Sequence, residues 1–403
     1  MIKIKFTKLF DIFNYDIILC ENGMSIITGP NGFGKSTIIK SIKALGESNL
    51  LFFYDLKFDK FILENTDINS KIEIVKKDEI LEINGDIINE DVISYARRIQ
   101  LRRMDKGNDE SSDLYQKIIR EMKAVVGNVE YIQEQRLVTT TERRFYEERM
   151  SRRTLNSKEE LIQTVEEIPT NIKQIIRQAS LEYSMVASTL DSSFPIRLFN
   201  EKIGIDEKEF DEKMEDMRHK VEKLDEYGIS GIQKMEKIEF KEDDARALKV
   251  YFEDFERKYN QYKALIEKLD MYKKMVNERF RFKNMQISSE YGIKILDKNN
   301  NIIKLRSLSS GEKETLVLFF RLLFKVNDSS LLLVDEPEIS LHIAWQRMFA
   351  EDIKTIMNLK GLKVIVATHS AQIVNGKSDF EETDLYSKLL MYRQNYNVKY
   401  VEE

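Results

Sequence analysis

Two short segments about 300 residues apart constrain the fold of this chain more than any other feature. G-P-N-G-F-G-K-S-T occupies residues 29–37, and L-L-L-V-D-E-P occupies residues 331–337. The first follows an apolar strand and precedes a helical stretch, and its glycines let backbone N–H groups converge on an anion. The second is typical of a strand buried in a parallel sheet that ends in two carboxylates. Ligand sites form at the carboxyl ends of such strands, so both segments are expected at one sheet edge.

The first segment fits a loop that holds the phosphates of a nucleotide. Lys35 is expected to reach the β- and γ-phosphates, and the Ser36 hydroxyl to bind Mg²⁺. A glycine-rich turn with a surface lysine is the alternative, but it does not explain why lysine and serine follow the last glycine. The predicted ATP-binding residues are Gly29, Pro30, Asn31, Gly32, Phe33, Gly34, Lys35, Ser36 and Thr37.

The second segment supplies two candidate acids. Asp335 is predicted to hold Mg²⁺ through water. Glu336 is predicted to orient or deprotonate the attacking water, a role worth roughly 10²–10⁴ in rate. A pair of acids that only caps the following helix is the alternative, and the phosphate loop upstream favours catalysis.

A third segment, L-S-S-G-E at residues 308–312, precedes a helix-length apolar stretch at residues 315–326. It resembles the signature motif of the ABC ATPase superfamily, and its spelling is similar to the SMC and RecF-like branch. The resemblance implies an α/β fold, an ABC-ATPase head with a mixed sheet around the phosphate-loop core, an antiparallel β subdomain and a helical or short coiled-coil insertion. It also implies that ATP closes a homodimer or higher homo-oligomer. The signature of one subunit then caps the γ-phosphate held by the other, through Ser309, Ser310, Gly311 and Glu312.

The same resemblance assigns three further motifs. Residues 129–137 resemble the Q-loop, whose glutamine touches Mg²⁺ and the attacking water; Gln135 fits better than Gln133, and the choice stays open. His369, in A-T-H-S after a predicted strand, resembles the switch histidine that contacts the γ-phosphate. E-I-S-L-H at residues 338–342 occupies the D-loop position, and the role of His342 there is open.

The pattern between these motifs predicts three parts: residues 1–137 as the first half of the head, 138–284 as the helical insertion, and 285–403 as the second half. Within the insertion, residues 210–224 are expected to pair antiparallel with an apolar stripe, and Pro195 is expected to interrupt the helices. The stripe recurs at heptad-like spacing: Leu248, Phe252, Phe255, Tyr259, Tyr262, Ile266 and Leu269. Two β-hairpins are predicted outside the insertion, one from residues 71–75 and 80–84 and one, just before the signature segment, from residues 291–296 and 302–305.

Composition limits where the chain works and what it touches. No apolar run approaches the ~18 residues that span a bilayer, and the first residues alternate as in a strand, so no membrane contact and a cytoplasmic location are expected. The net charge of −5 argues against a globally basic DNA-coating protein. Basic clusters at residues 97–106 and 142–153 leave local DNA contact possible, although such clusters are more often solvated helix faces.

The chain as a whole resembles compact ATPases found in prokaryotic anti-phage systems, and residues 190–198 look like a segment common in such proteins. The resemblance implies an ATPase with ATP and Mg²⁺ as cofactors. Our hypothesis is an ATP-gated sensor or scaffold that controls a separate nuclease effector. The alternative is a RecF-like DNA-repair ATPase that acts on DNA ends or gaps.

Overall fold

The computed structural model describes residues 1–21, 23–78, 80–100, 110–132, 157–229, 239–339, 343–374 and 381–387. Its strands are β1 (Ile2–Leu9), β2 (Phe13–Leu19), β3 (Met24–Thr28), β4 (Lys60–Asn65), β5 (Ser70–Lys77), β6 (Ile80–Ile83), β7 (Asp86–Ile88), β8 (Val129–Ile132), β9 (Lys283–Ser288), β10 (Gly292–Asp297), β11 (Ile302–Ile303), β12 (Leu331–Asp335), β13 (Lys363–Ala367) and β14 (Glu381–Asp384). Its α-helices are α1 (Lys35–Gly46), α2 (Leu50–Asp55), α3 (Glu90–Gln100), α4 (Glu110–Val126), α5 (Ser157–Asn200), α6 (Glu207–Glu226), α7 (Ala245–Asn277), α8 (Ser310–Phe320), α9 (Ile343–Lys360) and α10 (Ala371–Val374).

The chain forms two compact units. The first contains residues 1–153 and 325–403, and the second contains residues 154–324. The α/β class predicted from the sequence is confirmed, because parallel and antiparallel sheets are combined with helices. The three functional parts divided at residues 137 and 284 remain a prediction.

A five-stranded parallel sheet lies at the centre of the first unit. Its order is β14-β3-β13-β12-β8, and all five residues of β12 are buried, as expected for a strand covered on both faces. Parallel pairing aligns Val334 with Val366 and Ala367 with Ile27. The carboxyl ends of β3, β13 and β12 therefore meet at one edge, with β13 between the other two.

The antiparallel sheet of this unit has the order β2-β1-β4-β5-β6-β7. Alternate residues of β1 enter the core, as the period of a strand requires. The predicted hairpin is confirmed by β5 and β6, which pair Ile74 with Ile83. The next turn has positive φ at both Asn84 and Gly85, the geometry that favours Asn-Gly in tight hairpins. The antiparallel β subdomain that the resemblance implies is therefore present as a sheet of its own.

The second unit contains an antiparallel pair of helices that the sequence analysis did not identify. Tyr183 of α5 stacks on Tyr262 of α7 with ring centroids 5.1 Å apart, and Lys258 of α7 binds Asp191 of α5 at 2.7 Å. Residue numbers therefore increase along α5 while those of the contacted residues decrease along α7. Helix α5 is the antiparallel partner of α7.

Helix α6 runs parallel to α7, so the expected antiparallel pairing of residues 210–224 with the stripe is wrong. Phe210 lies against Phe252 at 6.0 Å between ring centroids, and Lys223, later in α6, binds Asp270, later in α7, at 2.7 Å. Only six residues join α5 to α6, and so short a connection suits two antiparallel neighbours. The apolar stripe itself is buried as predicted, at Phe252 and four further positions: Phe255, Tyr262, Ile266 and Leu269.

Pro195 does not interrupt the helix, because α5 continues through it to Asn200. Proline removes an N–H and disturbs the carbonyls of the preceding turn. Side chains bond other carbonyls of the preceding turn: Ser193 Oγ donates to the Thr189 carbonyl at 2.9 Å, and Arg197 Nη2 donates to the Leu190 carbonyl at 2.7 Å. The neighbouring side chains therefore support the turn that the proline disturbs.

The second unit also holds the sheet β11-β10-β9 and helix α8. The predicted hairpin before the signature segment is confirmed, with Ile295 paired to Ile303. Helix α8 is followed by a π-helical turn, Arg321–Lys325. Among the described helices, none combines the length and the apolar character needed to cross a membrane.

The ion pair between Arg197 of α5 and Asp254 of α7 gives a stability prediction. Asp254 is buried and accepts hydrogen bonds from both terminal nitrogens of the Arg197 guanidinium, Nη1 and Nη2, with Nη2–Oδ2 at 2.6 Å. Asp254→Asn leaves the guanidinium without a matched charge, so we expect a loss of about 2–3 kcal/mol. The measurement is the urea-induced unfolding midpoint. Asp191→Asn breaks an exposed ion pair and should cost less than about 1 kcal/mol; equal losses would refute the assignment.

Candidate active site

Three glycines give the loop after β3 its curled shape. Gly29, Gly32 and Gly34 have φ values of 138°, 83° and 82°, in the region that residues with a Cβ adopt only at a cost. Gly34 is the N-cap of α1, and no side chain of the described residues caps this end. The first N–H groups of α1 are therefore available to an anion.

The Lys35 ammonium lies against this loop. Nζ donates to the Gly29 carbonyl at 2.7 Å and to the Pro30 carbonyl at 3.0 Å, and the residue is buried. Burial lowers the pKa of Lys35 because the charged form is removed from water. An incoming phosphate group would offer this cation a stronger partner than two neutral carbonyls.

Asp335 joins the two sequence segments that define the site. Its buried carboxylate accepts a hydrogen bond from Ser36 Oγ at Oδ1, 2.9 Å, and from the Tyr131 hydroxyl at Oδ2, 3.1 Å. Parallel pairing of β12 with β8 brings Tyr131 to this edge. Tyr131 was not among the residues predicted from the sequence, because a hydroxyl near the end of a predicted strand was its only signal.

The donor set at this edge fits Mg²⁺. Ser36 and Asp335 offer hydroxyl and carboxylate oxygens, and Mg²⁺ is usually held by one or two carboxylates together with phosphates and water. No cluster of three or more His, Cys, Asp or Glu side chains in the described part of the chain could hold a metal alone. Asp335, Glu336 and Glu338 all act on Lys35 and oppose the lowering of its pKa, so this edge has an excess of negative charge that a cation would balance.

Glu336 has a strained backbone. Its φ is 48°, which costs a residue with a side chain on the order of 1–3 kcal/mol and occurs preferentially at functional sites. The strain is supported by a hydrogen bond from Glu336 N to the Ala367 carbonyl at 2.8 Å. Oε1 of the half-buried Glu336 carboxylate lies 3.9 Å from His369 Nδ1. The structure thus brings the predicted water-activating acid next to the predicted switch histidine.

Glu338 is a further member of this site, although the sequence indicated it only as the first residue of the D-loop position. Its carboxylate is buried and contacts the end of β13 through Thr368 and His369. His369 Nδ1 lies 3.0 Å from Oε1 of this carboxylate. The signal in the sequence was a second acid two residues after Glu336, which no local pattern distinguishes from a solvated side chain.

Aromatic residues hold the outer side of the phosphate loop. The buried Tyr15 hydroxyl donates to the Phe33 carbonyl at 2.9 Å, and burial raises the pKa of Tyr15, so it remains a donor. The Phe33 ring packs on Phe13 at 5.4 Å and on Tyr386 at 6.0 Å between centroids. Phe33 therefore has a structural role in positioning the loop.

In the second unit, the signature segment lies at the start of α8. Ser309 is the N-cap: its hydroxyl accepts from Glu312 N, and the Glu312 carboxylate accepts from Ser309 N at 2.8 Å, a capping box. Lys283 Nζ contacts both Glu312 oxygens, at 2.6 and 2.8 Å. Burial acts to raise the pKa of Glu312, but hydrogen bonds from Lys283 and Ser309 outweigh it, and the pKa is lowered. Ser309 and Ser310 are exposed, and Gly311 is half-buried.

Several predicted residues lie outside the described part of the chain. These are Gln133 and Gln135 of the Q-loop, His342 of the D-loop, and the basic cluster at residues 142–153. Their assignments stay predictions. Of the cluster at residues 97–106, only residues 97–100 are described.

Comparisons with known proteins agree with a nucleotide-binding domain. A family model described as AAA ATPase domain matches residues 8–374. Similar solved structures include the Smc head domain of Pyrococcus furiosus with an extended coiled coil, bound to the C-terminal domain of ScpA (14% identity, 98% of this chain and 100% of that chain, TM-score 0.38). Others are an SmcHead bound to the C-winged helix domain of ScpA (14%, 92% and 90%, TM-score 0.39) and the SMC head domain from Thermotoga maritima (13%, 92% and 90%, TM-score 0.37). No curated protein matches the chain.

Two glycines of the phosphate loop provide a matched test of its packing. A Cβ on Gly34 would lie 3.1 Å from Leu9 Cδ2, whereas a Cβ on Gly32 would meet nothing within 4 Å. Both have nearly equal positive φ, so either alanine should cost about 1–2 kcal/mol in backbone strain. We expect Gly34→Ala to cost about 1 kcal/mol more, because the crowded side chain must shift. Denaturant unfolding of both variants measures the difference, and equal losses would contradict this packing.

Proposed function

The chain belongs to the family of AAA ATPase domains, and on that premise we propose that it binds ATP with Mg²⁺ and hydrolyses the γ-phosphate. The observation that supports this best is the contact between Ser36 and Asp335. This contact supports the proposal because the N-terminus of α1, the buried Lys35 and the adjacent carboxylates would then all be within reach of one triphosphate. A site of this composition favours phosphoryl transfer to water, in which positioning and charge stabilisation supply most of the catalysis.

Phosphate binding would use groups that the fold has already oriented. No side chain of the described residues caps the N–H groups at the start of α1, so the helix terminus could receive the β-phosphate. Lys35 would exchange its two carbonyl partners, Gly29 and Pro30, for phosphate oxygens. Because the loop is preformed, little ordering entropy opposes binding.

Water activation would fall to Glu336. Ser36 and Asp335 would hold Mg²⁺, which draws charge from the phosphate oxygens when bound. Glu336, one residue beyond Asp335, is half-buried and is placed by its strained backbone rather than by a flexible loop. Its carboxylate would accept a proton from the attacking water.

We further propose that two copies complete each other's sites. The N-terminus of α8 exposes Ser309, and a helix start of this kind attracts anions. Glu312 already lies at this terminus and is held by Lys283. A γ-phosphate would therefore add to a capping box whose own charge is partly balanced by the lysine.

The cellular role we propose is that of an ATP-gated sensor or scaffold in an anti-phage complex with a separate nuclease. The support is the resemblance of residues 190–198 to a segment of such ATPases. A DNA-repair role finds less support. The described basic residues Arg97 and Arg98 lie over the rings of Tyr54 and Tyr95, at 5.5 and 5.7 Å from the centroids, so their charges already have aromatic partners.

Removal of the proposed base should separate binding from turnover. In Glu336→Gln the amide cannot accept a proton, so we expect kcat to fall at least about 100-fold while ATP still binds. Closed dimers should then accumulate with ATP, as read by light scattering after gel filtration. The control Glu64→Gln changes a surface carboxylate and should behave as wild type. Monomers only, with ATP bound, would refute closure around the nucleotide.

Mixed dimers test the shared site directly. Lys35→Ala removes the phosphate lysine, and Ser309→Arg blocks the exposed helix terminus, so each variant alone should be inactive. An equimolar mixture should recover about a quarter of wild-type turnover, because half of the pairs are mixed and each holds one intact site.

The matched control is a mixture of Lys35→Ala with Glu336→Gln. Both changes affect the same half of the site, so every mixed pair has two defective centres and should stay inactive. If the mixture with Ser309→Arg is also inactive, or if Ser309→Arg alone is fully active, the proposal of a shared site fails.

A further inference from the structure

The two carboxylate oxygens of Glu338 differ in the number of hydrogen bonds that they accept. Oε1 accepts from Thr368 Oγ1 at 2.7 Å and from His369 N at 2.8 Å, and lies 3.0 Å from His369 Nδ1. Oε2 is buried and is without a hydrogen-bond partner among the described residues. The side chain is only 5% exposed. A buried negative charge is therefore directed at the histidine through one oxygen.

This contact decides the protonation of one ring nitrogen. An ionised carboxylate offers only lone pairs, so a hydrogen on the ring nitrogen 3.0 Å away is favoured over a lone pair at that position. His369 is then held with the hydrogen on Nδ1, and Nε2 lies on the other side of the ring. The His369 side chain is 46% exposed, which leaves that side open to a ligand. The carboxylate thus sets both the tautomer and the orientation of the ring.

The negative charge of Glu338 is not needed to hold this segment in place. Other hydrogen bonds already hold the segment: the Glu338 carbonyl accepts from Gln346 Nε2 at 3.1 Å, Ser370 Oγ donates to Gln346 Oε1 at 2.8 Å, and Ser370 N donates to Thr368 Oγ1 at 2.9 Å. An amide oxygen could replace Oε1 as acceptor. The buried, half-paired charge costs stability, so its use must be sought at the histidine.

We propose that Glu338 is the positioning residue of His369: it fixes the hydrogen on Nδ1, so that Nε2 is left as a hydrogen-bond acceptor for the attacking water beside the γ-phosphate. The proposal rests on the proposed ATPase function. Among the described residues, the acidic groups that face the ring are Glu338, from the turn Pro337–Ile339, and Glu336, whose Oε1 is 3.9 Å from Nδ1. Both favour a hydrogen on Nδ1 over a lone pair, and the shorter contact gives Glu338 the larger effect.

The tautomer can be measured without any turnover. The chain has three histidines, so ¹⁵N-histidine NMR gives few signals, and His369→Asn assigns the relevant one. In the full chain we expect His369 to carry its hydrogen on Nδ1, and Glu338→Gln to shift the ring towards the Nε2–H form that free imidazole side chains prefer. A wild-type ring with hydrogen on Nε2 alone overturns the proposal, even if Glu338→Gln does not fold.

Kinetics then test the consequence for ATP hydrolysis. Glu338→Gln should lower kcat roughly 10- to 100-fold, the range typical of residues that orient a functional group, and should change KM by less than about 3-fold. In a His369→Ala background the same change should cost less than about 3-fold, because the group that it positions is gone. An equal cost in both backgrounds overturns the proposal.

Thr368→Val is the matched structural control. It removes the hydroxyl that donates to the same Glu338 oxygen but leaves the histidine contact in place. We expect it to retain kcat within about 3-fold and to keep the Nδ1–H signal. If it reproduces the effects of Glu338→Gln, the glutamate acts only on the backbone. If wild-type protein does not hydrolyse ATP, the proposed function fails, while the NMR result still decides the role of Glu338.

Discussion

The parallel pairing of β3, β13 and β12 is the constraint on which the rest of this structure depends. It joins Ser36 to Asp335, which lie 299 positions apart, by one hydrogen bond of 2.9 Å. Because the strands point the same way, the phosphate loop, the acids and His369 all follow strand ends at one edge. The strand β13 lies between the other two. The histidine therefore reaches the acids without any long loop.

The sheet edge at the site holds several groups whose burial or backbone conformation is unfavourable without a ligand. Lys35 is buried, Glu336 has a φ of 48°, and Glu338 has a buried oxygen without a hydrogen-bond partner among the described residues. Each lowers the stability of the unliganded protein. Each also corresponds to a group that would gain a partner or a task when a triphosphate and a cation bind. The cost is therefore localised where ligand binding could recover it, as expected of a site that is preorganised by the surrounding sheet.

The helical unit obtains its stability differently, from paired charges and aromatic contacts along α5, α6 and α7. The ion pair of Arg197 with the buried Asp254 fixes the register of α5 on α7, and the stacked rings of Tyr183 and Tyr262 continue it. Pro195 is tolerated because the same Arg197 and nearby serines bond the carbonyls of its turn. The feature that looked like a break in the sequence is thus part of one continuous helix.

By itself the sequence determined the glycine-rich loop before α1, the strand that ends in Asp335, the hairpins and the start of α8, because these depend on periodicity and on the chemistry of adjacent residues. The tertiary structure alone decided the strand order, the choice of α5 as the antiparallel partner of α7, and the positions of Tyr131 and Glu338 at the site. These depend on pairings between distant segments. An isolated tyrosine or glutamate has the same local pattern whether a distant strand gives it a partner or leaves it in water.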